Sequence, residues 1–477
     1  MTNKESTGQI RASRSFPARQ QGVVLLFIAL LILVAASTLL ISSLGDTNQL
    51  VSMSRANKLS LNDAKEALIG YAISYPERHP TVADAIPGYL PCPDLDGDGI
   101  EDGDDCGAAT TSAIGFLPWK TLGLAQPKPN QCLWYAVSAG FKSPNSTAAP
   151  SLLNSDLDGA FQIEDGAGRI LGDTSGRNRA IAVVIQPGNP ITTGGYSQVR
   201  DSNSTRTHCG AANRATRINQ PLNYLDKLGD VHNAYGRKDG AAVGTPGGQN
   251  IPSIHPSVFV SGPLNKTDTG VRFNDKVLWL NKQHFEPVYK RMNQWVLTKV
   301  QTCIKAFGDV HVVAGTKRYP WASPLDSSAS PSFNEQAGQR FGRIPDNFLI
   351  SGTQWENDPT SSPTTRCFAW PWWGNWKEQV FMAISDEHSD TPGTPATNVS
   401  VNGSMKTFVA LLAGPRINAQ SRSNYSEKGM INNYLENANI PGPNAGSIPS
   451  GNEDFDDGAT SPAFNDRVCS NTACNFN

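Results

Sequence analysis

Apolar residues fill one long segment near the N-terminus without interruption. Residues 23–44 contain no charged side chain. A helix of this length spans about 33 Å at about 1.5 Å per residue, enough to cross a hydrocarbon layer about 30 Å thick. The preceding residues carry Lys4, Arg11, Arg14 and Arg19 and no apolar run. Because basic flanks stay in the cytoplasm, the pattern predicts that the chain after Leu44 lies outside the inner membrane.

The helical pattern continues beyond this segment, through LNDAKEALIGYAISY at residues 61–75. Apolar residues recur there at helical spacing, while Asp63 and Lys65 occupy the opposite face. His79-Pro80 is a helix stop signal. We therefore expect one helix over residues 23–75, about 80 Å long, with a transmembrane half and an amphipathic half.

Three short motifs occur twice in the same order. WYAVS (134–138), AIAVVIQPG (180–188) and NYLD (223–226) are followed downstream by FMAIS (381–385), TFVALLAGP (407–415) and NYLE (433–436). Apolar runs bounded by Pro and Gly are typical of buried strands. The shared order favours a duplicated unit, with chance similarity between short strands as the alternative.

The repeat predicts an α+β fold, in which the long N-terminal helix carries a bilobed head of two helix-plus-antiparallel-sheet units. A second amphipathic helix is expected over residues 285–307, at the start of the second unit. The predicted segments are a leader (1–22), the N-terminal helix (23–75), a first head (60–235), a linker (236–275), a second head (276–445) and an irregular, Cys-clamped tail (446–477).

Composition narrows the class of partner and compartment. The chain has 477 residues, with 40 Lys and Arg against 42 Asp and Glu, which argues against a nucleic-acid partner. Eight cysteines are an even number, and the predicted exterior compartment is oxidising, so disulfides are expected. Cys92–Cys106 would bracket an acidic loop and Cys469–Cys474 would close a C-terminal loop, whereas the pairing of Cys132, Cys209, Cys303 and Cys367 stays open.

The acidic loop between Cys92 and Cys106 contains seven carboxylates in twelve residues, DLDGDGIEDGDD at 94–105. Oxygens at alternating positions with Gly at the sixth match the front of an EF-hand-like loop and predict a structural calcium site. The expected ligands are the side chains of Asp94, Asp96 and Asp98, the carbonyl of Ile100, and Asp102 or Asp105. The twelfth position holds Asp105 instead of Glu. A solvated acidic turn is the alternative.

A dense tryptophan cluster, Trp370, Trp372, Trp373 and Trp376, has two interpretations. Exposed indoles would form a binding surface for sugars or a protein partner. Buried indoles would form part of the core of the second head. No catalytic motif is found, and the seven histidines are scattered, so we do not expect an enzyme.

The border of the apolar segment, Gln20-Gln21-Gly22-Val23, resembles a type IV prepilin leader. AKEALIGYA, GYLPCPD and GFLPWKTLGL, followed by the W-Y and AVVI strands, are similar to the large minor pilins and pseudopilins of bacterial type IV filament and type II secretion systems. The resemblance implies cleavage by a prepilin peptidase after Gly22 and methylation of Val23. Phe27 replaces the Glu of major subunits, which favours a minor subunit. A signal-anchor and a cleaved secretory signal are the alternatives.

This resemblance implies a minor pilin- or pseudopilin-like subunit that caps or initiates the filament tip. Its implied partners are other subunits, through the N-terminal helix, together with the inner membrane and the peptidase. Its implied location is single-pass in the inner membrane with a periplasmic head, or the cell-surface filament tip. The alternatives are an adhesin or substrate-binding module on the same filament, and a membrane-tethered periplasmic hydrolase.

Overall fold

The computed structural model describes the chain from Ser60 to Phe476. Outside the described residues lie 83–84, 104–110, 128–131, 144–152, 172–176, 194–195, 199–222, 229–230, 235–236, 239–249, 252–256, 263, 266–271, 330, 350–354, 356–366, 391–396, 418, 442–452, 460, 462 and 475. The chain divides into two units, Met1–Lys58 and Leu59–Asn477. The first unit lies outside the described residues, so the account below concerns the second.

The first described helix, α1, spans Leu61–Ile73, and a short helix, α2, spans Tyr75–Arg78. Ser60 precedes α1 with extended backbone, φ −91° and ψ 155°. Its side chain accepts a hydrogen bond from the N–H of Asp63, and the Asp63 carboxylate accepts one from the N–H of Ser60. This capping box starts the helix at Leu61. The prediction of one long helix through residues 23–75 is therefore wrong.

The predicted transmembrane segment, 23–44, and the leader with its Gly22–Val23 cleavage site lie outside the described residues. Within the part of the chain that is described, no helix combines the length and the apolar character needed to span a membrane. This finding contradicts the predicted single-pass inner-membrane location.

The first module comprises residues 61–280. Its strands are β1 Ser112–Phe116, β2 Trp134–Val137, β3 Phe161–Glu164, β4 Ala182–Gln186, β5 Thr192–Thr193, β6 Tyr196–Ser197, β7 Lys227–Leu228, β8 Val231–His232, β9 Arg237–Lys238, β10 Asn250–Ile251, β11 Ser257–Val260, β12 Leu264–Asn265, β13 Arg272–Phe273 and β14 Lys276–Leu280. The main sheet is antiparallel, in the order β10-β1-β2-β4-β14. A second, smaller sheet pairs β3 with β11 in parallel.

The second module comprises residues 286–474. Its elements are α3 Glu286–Val310, β15 Val312–Val313, β16 Thr316–Lys317, β17 Phe341–Arg343, α4 Trp373–Trp376, β18 Val380–Ile384, β19 Val399–Val401, β20 Ser404–Lys406, β21 Phe408–Leu412, α5 Tyr425–Lys428, β22 Glu453–Phe455 and β23 Arg467–Ser470. The main sheet is antiparallel, in the order β17-β18-β21-β23. A smaller sheet has the order β20-β19-β22, with β19 and β22 parallel.

The two main sheets match strand for strand, β1-β2-β4-β14 with β17-β18-β21-β23. The registers also agree, since Trp134 lies opposite Ile185 in the first module and Phe381 lies opposite Leu411 in the second. Both centres therefore carry the twice-occurring strand motifs, and the second motif is displaced by one residue, because Ile185 corresponds in register to Leu411 and not to Leu412. Each module also adds a parallel pair, β3 with β11 and β19 with β22, outside its main sheet.

One continuous apolar core joins the modules. It contains Leu68 of α1, Val184 of β4, Val296 of α3 and Leu412 of β21. The opposite face of each main sheet has its own buried cluster, formed with the smaller sheet. Sheets covered on both faces need continuous apolar strands, as β18 and β21 have. The predicted bilobed head is wrong, because the two helix-and-sheet modules share this core within one compact unit.

The observed strands place the module boundaries at other residues than the sequence pattern predicted. β9 to β13 lie in the predicted linker, 236–275, and β14 completes the first sheet inside the predicted second head. β22 and β23 lie in the predicted irregular tail, 446–477. In both modules the last strand of the main sheet is separated from its neighbouring strand by a long segment of chain. A local sequence pattern does not indicate such a pairing.

Two disulfides join described cysteines. Cys303 of α3 bonds to Cys367, with a Cα–Cα distance of 5.7 Å. Cys469 bonds to Cys474, which confirms that prediction. Cys92 is disulfide-bonded too, but Cys106 lies outside the described residues, so the Cys92–Cys106 pairing stays a prediction.

We expect the two described disulfides to differ in their effect on stability. Replacing Cys303 and Cys367 by Ala should lower the free energy of unfolding by about 4 kcal/mol, because this bond closes a separation of 64 residues in the unfolded chain. Replacing Cys469 and Cys474, separated by 5 residues, should cost about 2 kcal/mol. Denaturant unfolding measures both, and equal losses would contradict the loop-length argument.

Candidate functional site

The acidic loop lies between α1 and β1 and is attached to the edge of the first main sheet. Asp94 and Phe116 exchange backbone hydrogen bonds of 2.9 and 2.8 Å. The carbonyl of Gly99 accepts hydrogen bonds from the N–H groups of Lys120 (2.8 Å) and Thr121 (3.2 Å). Both ends of residues 94–99 are therefore held by the rest of the module.

The carboxylates of the loop bind its own backbone. Asp94 accepts hydrogen bonds from the N–H groups of Gly97 and Gly99. Asp102 accepts from the N–H groups of Leu95 (2.6 Å) and Asp96 (3.2 Å). Gly97 and Gly99 have φ of 71° and 89°, a region that favours glycine. The alternation of Asp and Gly thus builds a compact turn, whether or not a cation is bound.

Three predicted calcium ligands come together. Asp94, Asp96 and Asp102 each offer a carboxylate oxygen, and these oxygens lie within 4.8 Å of one another. The Asp98 carboxylate is not in this group and accepts a hydrogen bond from the N–H of Ile100. Asp105 lies outside the described residues. The carboxylates of Asp94, Asp96 and Asp102 are therefore the candidate cation ligands.

Asp94 is the buried member of this group. Burial raises its pKa from 3.8 to about 7, although the N–H donors of Gly99 and Gly97 act in the opposite direction. A carboxylate whose proton affinity is raised by burial gains from a nearby positive charge, because the charge favours the ionised form. The geometry is therefore compatible with a hard, oxygen-seeking cation such as Ca²⁺.

Glu101 connects the loop to α1, a role that the sequence did not indicate. Its Oε1 accepts a hydrogen bond of 2.8 Å from the Tyr71 hydroxyl, and its Oε2 accepts one of 3.1 Å from the N–H of Cys92. Burial and the charge of Glu101 raise the pKa of Tyr71 above its usual range. In the sequence, Tyr71 belongs to the apolar face of the helix, and this pattern does not indicate a role for its hydroxyl.

The tryptophan cluster is part of the core. Trp370, Trp372, Trp373 and Trp376 are at most 5% exposed. The Trp372 ring lies 5.2 Å from the ring of Trp295 on α3. The interpretation as a binding surface is therefore wrong, and the buried alternative describes these residues.

The NYLD motif ends in a buried hydrogen-bonded group, which we call the first latch. Asp226 donates its N–H to Asp275, which directly precedes β14, at 2.8 Å. The Asp226 carboxylate accepts from the N–H groups of Asn274 (2.7 Å) and Asp275 (3.0 Å), and from Gln198 (2.9 Å). The amide of Asn233 also donates to Asp275, at 3.2 Å.

The NYLE motif builds an equivalent second latch. Glu436 donates its N–H to Asp466, which directly precedes β23, at 2.8 Å. The Glu436 carboxylate accepts from the N–H of Asn465 (3.0 Å) and from Gln420 (2.6 Å). Asn439 donates to Asp466 at 3.2 Å. Burial and the charge of Glu436 raise the pKa of Asp466 well above its usual value.

These latches account for the repeated motif. Each acidic residue that ends NYLD or NYLE holds the entrance to the last strand of its own main sheet. The partners Asp275 and Asp466 follow 49 and 30 residues later, and no local signal marked them. The repeated motif therefore has a structural role in both modules.

No family model, curated protein or solved structure matches this chain. The resemblance to minor pilins therefore stays an expectation that these comparisons do not test.

Asp94 should make stability depend on pH. Burial raises its pKa to about 7 in the folded protein, against 3.8 for an aspartate in water, so the folded state holds more protons between these values. The free energy of unfolding should fall as pH rises from about 4 to about 7, at most by about 1.4 kcal/mol per pH unit. Urea unfolding across this range, with a chelator present, measures the slope.

The Asp94→Asn variant should show a smaller slope, because it removes the titrating group. Asp98→Asn is the matched control, since it lies in the same loop outside the three-carboxylate group. A wild-type slope retained by Asp94→Asn would contradict the assignment.

Proposed function

We propose that this chain is a structural assembly subunit, of the minor pilin or pseudopilin class, in a bacterial type IV filament or type II secretion system. The observation that carries the proposal is α1, an amphipathic helix that packs on an antiparallel sheet and directly follows the N-terminal portion of the chain. A helix laid on an antiparallel sheet is the unit that the resemblance in sequence implies.

The use of buried polar groups supports a structural role. The carboxylates of both latches bind backbone N–H groups at strand ends. Those of the acidic loop bind the backbone of the loop itself. Buried carboxylates with such partners stabilise a backbone path, because they replace the hydrogen bonds that water would otherwise make.

The duplication supports a position at the end of a filament. Two modules with a shared core form one large compact unit. A shaft repeats the same subunit at short intervals and leaves little room for such a body. A tip position occurs once, so a doubled head is accommodated there. The adhesin alternative depended on exposed indoles at Trp372 and Trp373, and both are buried.

The proposal predicts a defined mature N-terminus. In the native host, intact-mass spectrometry should find a chain that begins at methylated Val23. Gly22→Val should leave the leader attached, because the added side chain blocks close approach of the peptidase to the backbone. Gly8→Val, in the same leader, is the matched control and should be processed normally. An intact Met1 or a start beyond residue 37 in the wild type would contradict the proposal.

We further propose that the acidic loop binds calcium as a structural ion. Three carboxylate oxygens within 4.8 Å of one another repel each other unless a cation compensates their charge. Extracellular calcium modules bind with dissociation constants of about 10⁻⁴ to 10⁻³ M. At about twenty times such a constant, calcium should stabilise the fold by about 2 kcal/mol.

Thermal unfolding of chelator-treated protein, followed by addition of Ca²⁺ or Mg²⁺, tests this proposal. Asp96→Asn should lose the calcium effect while its remaining oxygen still accepts the N–H of Asp98. Asp98→Asn, outside the three-carboxylate group, should keep it. An equal response to both metals, or in both variants, would show that the loop is only a solvated acidic turn.

A further inference from the structure

The second latch places two carboxyl groups in one buried site. Glu436 is 8% exposed, and Asp466 is fully buried. Their side chains are hydrogen-bonded to each other. Two ionised carboxylates cannot form such a bond, because neither has a hydrogen to donate. The contact therefore requires a proton on one of the two groups.

The hydrogen bonds around the pair show where this proton lies. Both oxygens of Glu436 accept N–H groups, Oε1 from Gln420 at 2.6 Å and Oε2 from the backbone of Asn465 at 3.0 Å. Oδ2 of Asp466 accepts from the N–H of Glu436 at 2.8 Å and from Asn439 at 3.2 Å. Among the described residues, no N–H or O–H group donates to Oδ1 of Asp466. Oδ1 is therefore the oxygen that is left to carry the proton.

The surrounding amides are fixed in their orientation. Oε1 of Gln420 accepts a hydrogen bond of 3.1 Å from the N–H of Ile417, so the amide nitrogen of Gln420 faces the pair. Oδ1 of Asn439 accepts one of 2.8 Å from the N–H of Asp456, so its amide nitrogen faces the pair as well. The donors around the pair thus satisfy three of its four oxygens and cannot rotate to supply the fourth.

No positive charge compensates the pair. Within the described part of the chain, no Lys, Arg or His lies at ion-pair distance from either carboxyl group. Arg422 is ion-paired with Asp156 at 2.7 Å, and Arg467 interacts with the charge of Glu286 on α3. The carboxylate of Asp456 accepts a backbone N–H two residues along the chain. Loss of the proton would therefore leave two negative charges buried side by side, which is costly.

The pair lies at the entrance to the last strand of the second main sheet. Asp466 directly precedes β23, which forms the edge of this sheet next to β21. The sequence at this entrance, FNDRV at 464–468, repeats FNDKV at 273–277, the entrance to β14. An edge strand is held by one neighbour only, so its stability depends strongly on the hydrogen bonds at its end.

We propose that Asp466 and Glu436 share a single proton, carried on Oδ1 of Asp466, and that loss of this proton releases β23 from the edge of the sheet. The second latch is then a pH-sensitive device that is closed when protonated. Burial and the charge of Glu436 raise the pKa of Asp466 well above its usual value, so the latch keeps its proton where an exposed aspartate is ionised. The inference does not depend on the role proposed for the whole chain.

The protection of the β23 amides should depend on pH. The closed latch binds the proton more tightly than the open one, so β23 is most stable below about pH 4 and loses stability as the pH rises through the pKa of the pair. Hydrogen–deuterium exchange of the full-length protein measures this on the peptide that covers residues 464–474. After correction for the intrinsic exchange rate, protection should fall by up to about tenfold per pH unit.

Three variants locate the proton. Asp466→Asn replaces the protonated oxygen by an amide N–H that does not titrate, so the protection of β23 should become independent of pH. Glu436→Gln should lower protection at every pH, because its amide nitrogen would face the N–H of Gln420 or of Asn465. Asp390→Asn makes the same change at an exposed residue and should keep the wild-type dependence.

Infrared difference spectra between wild type and Asp466→Asn detect the proton itself. At about pH 5, where exposed carboxyl groups are ionised, the wild type should show the carbonyl stretch of a protonated carboxyl that the variant lacks. Circular dichroism checks that the variants fold, and an unfolded Asp466→Asn would contradict the proposal. So would the absence of this band, or a wild-type pH dependence retained by Asp466→Asn. A chelator that lowers the protection of β23 would show a bound cation in place of the proton and would also overturn the proposal.

Discussion

Two pairs of buried acidic residues hold the last strand of each main sheet in place. Asp226 with Asp275 fixes the entrance to β14, and Glu436 with Asp466 fixes the entrance to β23. Each last strand returns from a long excursion of the chain and pairs only along one edge. The latch carboxylates accept hydrogen bonds from backbone N–H groups just before the strand. These bonds fix where the strand begins and also satisfy the buried N–H groups there. The raised pKa of Asp466 reflects the cost of placing two carboxyl groups in one buried site.

The shared core follows from the position of β14. This strand ends at Leu280 and α3 begins at Glu286, so the closure of the first sheet also sets the starting point of the helix of the second module. α3 then contacts α1 on one side and β21 and β23 on the other. The tryptophan cluster and the Cys303–Cys367 bond attach the remaining face of α3. The two modules are consequently one folded body, since α1 and α3 pack against each other as well as each against its own main sheet.

The sequence predicted the parts of this arrangement that depend on local pattern. Apolar runs located β4, β18 and β21, and the alternation of acidic residues located a compact loop around Asp94. It did not predict that Ser60 and Asp63 form a capping box, because the apolar period runs past them. Nor did it predict β22 and β23, whose short polar segments become strands only by pairing with distant partners. The sequence left open whether the tryptophan cluster is buried or exposed, because its burial depends on contact with α3, which is distant in sequence.

Comparison of the two modules shows which positions at the sheet edge are fixed by the backbone and which carry different side chains. Asp94 and Ser323 occupy equivalent places, each bridged to the end of the first sheet strand, at Phe116 and Arg343. A Cβ on Gly115 or Gly342 would meet the backbone oxygen of the bridged residue, so both modules need glycine there. The residues at the bridge itself are free to differ, because the backbone alone makes the contact. The first module places a buried carboxylate and an acidic loop at this edge, and the second places a buried guanidinium beside Tyr434. The same edge of the main sheet therefore occurs twice in the fold. It carries the negative charge of Asp94 in the first module and the positive charge of Arg343 in the second.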